Sequence, residues 1–307
     1  MGTLYIIGNG FDLHHGLTTS LKGFRDYSKS SVFGHLYENG VFMMQADQDP
    51  IQHWNNLEEN LANLDIDELI EQKSEYYDDD PHKNEFLYEV EKAIDAITSG
   101  LVQELSNYLI KAERESIVAD SLLELDTNAY FINFNYTNTL ERVYGVKHEN
   151  ICYIHGKLNS QSEIVIGHAM KDSGYIPEPK IDISTWPEEA KEAYINAYSP
   201  DYESALEHAH SYFKRSYKDT DSCLAYASNF LESLCGIDKV IILGHSLAEI
   251  DQVYFEYINR KVGKDCLWWA SCYSTSEKRG IFERLEMIVG EKNRICVFEL
   301  SQLKLKF

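Results

Sequence analysis

The chain has 307 residues, 44% of them hydrophobic, enough to bury the core of one large domain or of one domain with a sizeable insertion. Fifty acidic residues against 28 basic ones leave a formal charge of −22, which disfavours a broad nucleic-acid surface and leaves room only for a small local basic pocket. No apolar run reaches the roughly 18–20 residues of a membrane span, no basic-then-apolar leader precedes the first strand, and the six cysteines form no Cys-x-x-Cys pair, so a soluble, cytoplasmic protein with no membrane partner and no evident metal site is expected.

Thr3 to Ile7 form a short uncharged run of β-branched, aromatic and aliphatic residues closed by Gly8, the pattern of a fully buried strand. Gly8-Asn9-Gly10 then supplies a tight turn with bare N–H groups, the geometry in which a nucleotide phosphate sits beyond a strand's carboxyl end. Leu13 stands where a third fingerprint glycine would be, and ordinary turn-shaping remains the alternative for these glycines. From about Pro50 to Leu125 strand character is scarce. Trp54, Leu57, Leu61 and Leu64 repeat at helical spacing, as do Phe86, Val90, Ile94, Ile97, Leu101, Leu105 and Leu109. This helical insertion has three open roles: capping a site, mediating oligomerisation, or covering the sheet.

Strands are expected over 129–134, 151–154, 163–167, 239–243, 267–272 and 294–298, with helices after most of them. A second helical stretch, about 177–236, carries Trp186, Ala190, Ala193 and Ala197 on one face and Tyr202, Leu206, Ala209 and Phe213 on another. Near-continuous apolar strands alternating with helices predict an α/β fold. It is a doubly wound, mostly parallel Rossmann-like sheet in a single domain, with helical insertions at about 50–125 and 177–236.

The chemistry-bearing residues gather just after strand ends: Gly8 to Asp12, Asn135 to Thr137, His155-Gly156, Gly167-His168, and Gly244 to Asp251. On one edge of a parallel sheet such turns converge and would line one crevice. His155 offers an imidazole able to take a proton at cellular pH. Asn135 has both a donor and an acceptor to position water or a ribose hydroxyl. Each also has a structural alternative. His155 fits a core-edge histidine bonded to a carbonyl, and Asn135, Asp12, Ser246 and Asp251 all fit helix or turn caps. His14 and His15, adjacent in sequence, diverge too far to make a metal pair.

Ile6-Ile-Gly-Asn-Gly-Phe-Asp-Leu13, Phe134-Asn-Tyr-Thr-Asn-Thr-Leu-Glu141, Ile154-His-Gly156 and Ile242-Leu-Gly-His-Ser-Leu247 with Asp251 resemble the AbiH-type bacteriophage abortive-infection family across nearly the whole chain. More distantly the motif order is similar to the sirtuin-like NAD-binding superfamily. That resemblance implies dinucleotide contacts at Gly8, Asn9 and Gly10, with Gly244 and Ser246 holding the adenosine end. It also implies a nicotinamide-ribose position for Asn135 and a catalytic base at His155-Gly156. Asp12 and Asp251 line the same site without an assigned role. Two positions depart from the sirtuin pattern: Asp12 stands where a serine is common, and Thr137 where an aspartate is usual. The deacylase zinc module is missing, which argues against protein deacylation.

Cleavage of the nicotinamide–ribose bond of NAD is the activity these readings imply, with NAD as substrate or ligand and no metal. The alternative is a non-catalytic nucleotide sensor whose helical insertions bind a protein partner or a second copy. Val240-Ile-Ile-Leu-Gly-His-Ser-Leu-Ala248 also looks like a nucleophile elbow. All eleven histidines lie at or before His245, so the chain order of an α/β-hydrolase triad cannot be met.

Overall fold

The computed structural model describes residues 2–44, 49–77, 84–160, 164–170, 174, 184–191 and 200–303. The chain divides into two compact units. One comprises Met1–Phe24, Leu105–Ile166 and Asp219–Phe307; the other comprises Arg25–Glu104 and Gly167–Lys218.

The first unit is built on a six-stranded sheet in the order 3-2-1-4-5-6. Its strands are β1 (Gly2–Ile7), β2 (Tyr130–Asn133), β3 (Ile151–Tyr153), β4 (Ile237–Leu243), β5 (Leu267–Cys272) and β6 (Ile295–Glu299). Every pairing is parallel. The reason is visible in β1, where Leu4 to Ile7 are all buried. Leu4 and Ile6 join Ile132, Val240, Ile242, Trp268 and Ala270 in one core layer, while Tyr5 and Ile7 join Phe131 and Leu243 in a second layer on the opposite face. A strand buried on both faces needs apolar residues at successive positions, and this is what makes it legible in the sequence.

The helices that follow its strands are α1 (Asn9–His14), α2 (Thr139–Tyr144), α3 (Thr220–Ser233), α4 (Gln252–Lys261) and α5 (Lys278–Val289). Cys223, Ala227 and Leu231 of α3, Tyr254, Phe255 and Ile258 of α4, and Ile281, Leu285 and Val289 of α5 close the first layer. Phe11 of α1 and Leu140 of α2 help to close the second.

Register sets where the functional edge lies. Ile7 is level with Asn133 on one side and Leu243 on the other, and Asn133 is level with Tyr153. The residues that leave β1, β2, β3 and β4 at their carboxyl ends therefore emerge in one row. The strand order reverses between β1 and β4, the topological switch point at which open α/β sheets bind ligands.

One expected strand is absent. Residues 164–167 are irregular, and position 163 lies outside the described residues. Val165 instead packs against the sheet core as a loop, its N–H donating to His155 O at 2.8 Å and its carbonyl accepting from Tyr136 Oη at 2.9 Å. Three apolar residues sufficed to pack the loop without building a ladder. Gly167 and His168 belong to the second unit, where His168 forms a single bridge to Tyr217.

The second unit is helical. Trp54, Leu57, Leu61 and Leu64 are all buried, but across the short turns Pro50–Asn55, Leu57–Asn60 and Leu61–Asn63 rather than along one helix. The stripe from Phe86 to Leu109 is buried along two α-helices, Glu85–Asp95 and Leu101–Glu113, joined by a π-helical turn at Ala96–Gly100; Leu105 and Leu109 at its end are counted with the first unit. Helix Pro200–Arg215 buries Ala205, Ala209, Tyr212 and Phe213 and leaves Tyr202 39% exposed, so its inner face is rotated from the expected one. Ala193 and Ala197 lie outside the described residues. Lys218, 1% exposed, pairs with Glu58 at 2.8 Å inside this unit.

Candidate active site at the carboxyl edge of the sheet

The turns after β1 and β4 pack backbone against backbone. Gly8 N donates to Leu243 O at 3.0 Å, Gly10 N to Gly244 O at 2.8 Å, and Phe11 N to Gly8 O at 2.9 Å. A Cβ on Gly8 would lie 2.6 Å from His245 Cα, and one on Gly10 2.8 Å from Gly244 Cα. Gly244 has φ +67°, and a Cβ there would sit 2.1 Å from Phe11 N. Only glycine fits these approaches. The three glycines let the two turns touch, and the amides of Gly8, Gly10 and Phe11 are engaged by the chain's own carbonyls. Asn9 is exposed and clips the following loop, donating to Thr19 O at 3.0 Å and accepting from Thr19 Oγ1 at 2.6 Å.

Asp12, on the inner side of α1, is 1% exposed. Its Oδ2 accepts from Thr137 Oγ1 at 2.5 Å, and Thr139 Oγ1 in turn lies 3.3 Å from Thr137 Oγ1. Oδ1 is buried with no hydrogen-bond partner among the described residues. Burial pushes the carboxyl up to about 6, held back by the Thr137 hydroxyl and assisted by repulsion from Glu113. Asp12 and Thr137, far apart in sequence, thus meet in one hydrogen bond. An aspartate at position 137 would face Asp12 with a second negative charge.

Asn135, 7% exposed, donates from Nδ2 to Gly8 O at 3.1 Å and takes its own backbone N–H to Asn133 Oδ1 at 3.0 Å. Its side chain ties the β2 turn to the β1 turn; α2 begins only at Thr139, after Asn138.

The third constellation joins three distant segments. His155 follows β3, His245 follows β4, and Asp251 ends the short 3₁₀ turn before α4. His155 Nε2 lies 3.7 Å from Asp251 Oδ1, and His245 Nε2 lies 3.5 Å from Asp251 Oδ2. His155 Nε2 is also 3.2 Å from Tyr254 Oη. Phe134, leaving β2, stands edge-on between the two imidazoles, its ring centroid 5.2 Å from His155 and 4.4 Å from His245. All three polar residues are buried: His155 3% exposed, His245 7% and Asp251 8%. Asp251 makes no side-chain cap to α4, and its two carboxylate oxygens face the two imidazoles. A carboxylate between two imidazoles can stabilise an imidazolium and hold a ring in one orientation, as acid–base catalysis needs.

Ser246 is exposed, and its carbonyl accepts from Arg284 Nη1 at 2.6 Å. Leu247 follows with φ +58°, a conformation that costs a bulky residue about 1–2 kcal/mol. His15, fully buried, donates from Nδ1 to Phe11 O at 2.6 Å and receives Tyr144 Oη at Nε2 at 2.6 Å, a core histidine rather than a ligand. Burial lowers it to about 4.

The family model described as Bacteriophage abortive infection AbiH matches residues 4–272. The chain belongs to the AbiH family. No curated protein and no solved structure matches it.

The stretch that matches AbiH runs from within β1 to the end of β5 and contains every residue of the three constellations. Membership assigns this AbiH protein a role in bacterial abortive infection against phage. Among its described residues no helix is long and apolar enough to cross a membrane, and no group of three His, Cys, Asp or Glu is arranged to hold a metal ion. His245, given no role of its own by the sequence, carries the same signal as His155: a histidine beside a glycine at a strand's carboxyl end.

Proposed function

We propose that this AbiH protein defends by cleaving a nicotinamide dinucleotide at its nicotinamide–ribose bond, with water as the acceptor. The observation that carries the reading is the convergence of His155, Asp251 and His245 on the carboxyl edge of a 3-2-1-4-5-6 sheet. The C1′–N bond breaks and nicotinamide leaves as a neutral base, needing no proton. Water adds to the oxocarbenium-like C1′ and gives its proton to the His155 imidazole. Asp251 offsets the positive charge that appears on the ring.

The Asp12 group supplies the second half of the reading. Its unpartnered Oδ1 is an acceptor for a ribose hydroxyl, and Asn135 fixes the β1 turn beside it. The glycines enter as shape: the phosphate contacts expected of Gly8, Gly10 and Gly244 are no part of the proposed step, because Gly8 N and Gly10 N already donate within the protein.

Replacing His155 by glutamine is expected to lower turnover 10²- to 10⁴-fold, the usual weight of a general base, with unchanged thermal unfolding in the absence of ligand. A folded, fully active variant would remove His155 from the reaction. One observation favours a second reading, a sensor that binds without turnover: the three polar residues are less than a tenth exposed. A sensor is raised in unfolding temperature by NAD and releases no nicotinamide.

A further inference from the structure

The two imidazoles flanking Asp251 are not equivalent. His245 Nδ1 lies 2.9 Å from the backbone N of Leu247, which can only donate. Nδ1 must therefore be the unprotonated nitrogen, and the ring's single proton is on Nε2, the atom 3.5 Å from Asp251 Oδ2. A second proton on His245 would set Nδ1–H against the Leu247 N–H. The ring is also held mechanically. Phe134 lies edge-on at 4.4 Å and 77°, and Phe255 at 5.0 Å and 74°. The Leu247 amide reaches Nδ1 from a residue at φ +58°, a conformation the surrounding turn must impose.

His155 stands differently. Its Nε2 faces Asp251 Oδ1 at 3.7 Å and the Tyr254 hydroxyl at 3.2 Å. A hydroxyl can donate to a neutral ring nitrogen or accept from a protonated one, so this surrounding tolerates both charge states. Among the described residues, Asp251 and Tyr254 are titratable groups that face His155, and Asp251 faces His245.

We infer that His245 is a positioning residue, a permanently neutral imidazole whose Nε2–H faces Asp251 Oδ2 and holds that carboxylate toward His155, so that of the two histidines only His155 takes up a proton. The inference rests on the proposed role of His155 as base and explains why that histidine, rather than its counterpart across Phe134, serves. The same tautomer leaves His245 without a lone pair on the nitrogen nearest Asp251, so the array is arranged for a proton and not for a shared metal ion.

The test is long-range proton–nitrogen NMR of the full chain with ¹⁵N-labelled histidine, from pH 5 to 8. The expected spectrum shows His245 protonated at Nε2 only and unchanged across the range, and His155 titrating. His245→Gln keeps an N–H donor near the Nε2 position and is expected to leave the His155 midpoint within a few tenths of a pH unit. His245→Leu removes the donor and is expected to lower that midpoint by about one pH unit, a tenfold change in acid dissociation. A His245 that titrates in this range, or is protonated at Nδ1, overturns the inference from the wild-type spectrum alone, whether or not the leucine variant folds. Equal His155 midpoints in the two variants overturn it too. Failure to cleave NAD would leave these readings untouched, so the two claims fail separately.

Discussion

Replacing Asp12 with asparagine should stabilise the protein at neutral pH. Folding lifts the Asp12 carboxyl from 3.8 to about 6 because burial strips water from its charge, against the opposing hydrogen bonds of Thr137, Thr139 and Asn135. The unfolded chain releases this proton near pH 3.8 while the folded chain keeps it until about pH 6. Between those values the folded state binds more protons, and stability falls as pH rises. Two pH units correspond to about 3 kcal/mol. His15 acts with the opposite sign. Its folded value drops from 6.5 to about 4, so the unfolded state binds more protons in that window and stability rises with pH. In the wild type the two slopes oppose each other over nearly the same interval.

The introduced asparagine cannot titrate, yet its carbonyl keeps the hydroxyl bond from Thr137. The variant should gain about 2–3 kcal/mol at pH 7, and that gain should shrink toward zero near pH 4. Its own stability should climb more steeply between pH 4 and 6.5 than the wild type's, because His15 is no longer opposed. Urea unfolding of both proteins at pH 4.5, 5.5 and 7 measures all of this. A difference independent of pH, or a variant less stable at pH 7, would refute the account of Asp12 as a desolvated carboxylate.

Gly244→Ala combines a φ of +67° with a Cβ 2.1 Å from Phe11 N, and should lose about 3 kcal/mol or more in urea unfolding. Gly290→Ala, at φ +78° with nothing within 4 Å of its Cβ, should lose only about 1 kcal/mol; equal losses would mean that the β1 and β4 turns do not pack as described. Tyr144→Phe removes the hydroxyl that serves both His15 Nε2 at 2.6 Å and Leu123 N at 3.0 Å. With two buried groups orphaned, a loss of about 2–4 kcal/mol is expected, and a loss under about 0.5 kcal/mol would show that water replaces the hydroxyl.

The sheet was readable because its central strands are buried on both faces: Leu4 to Ile7 of β1 and Val240 to Leu243 of β4 are apolar at successive positions and end at glycine. The run at Ile164 to Ile166 offered a similar pattern over three residues, too little to distinguish a strand from a loop that buries Ile164 and half-buries Val165. At the sheet edge, the nearness of His155, Asn135, Asp12 and Asp251 was legible because a parallel sheet brings carboxyl ends together whatever their separation in sequence. It could not say which face of α1 would bury Asp12, nor that Thr137 would meet it. The glycines show the limit most clearly: a glycine that admits a phosphate and one that admits a neighbouring backbone are the same letter. His245 needed the direction of the Leu247 amide, a property of a left-handed turn that composition does not encode.

The most direct test of the proposed chemistry is mass spectrometry of the purified chain incubated with NAD in H₂¹⁸O. Nicotinamide and ADP-ribose released in equal amounts, with one ¹⁸O in the ADP-ribose and both products lost in His155→Gln, is the predicted result. Intact NAD after prolonged incubation, or release that persists undiminished in the His155 variant, would contradict it.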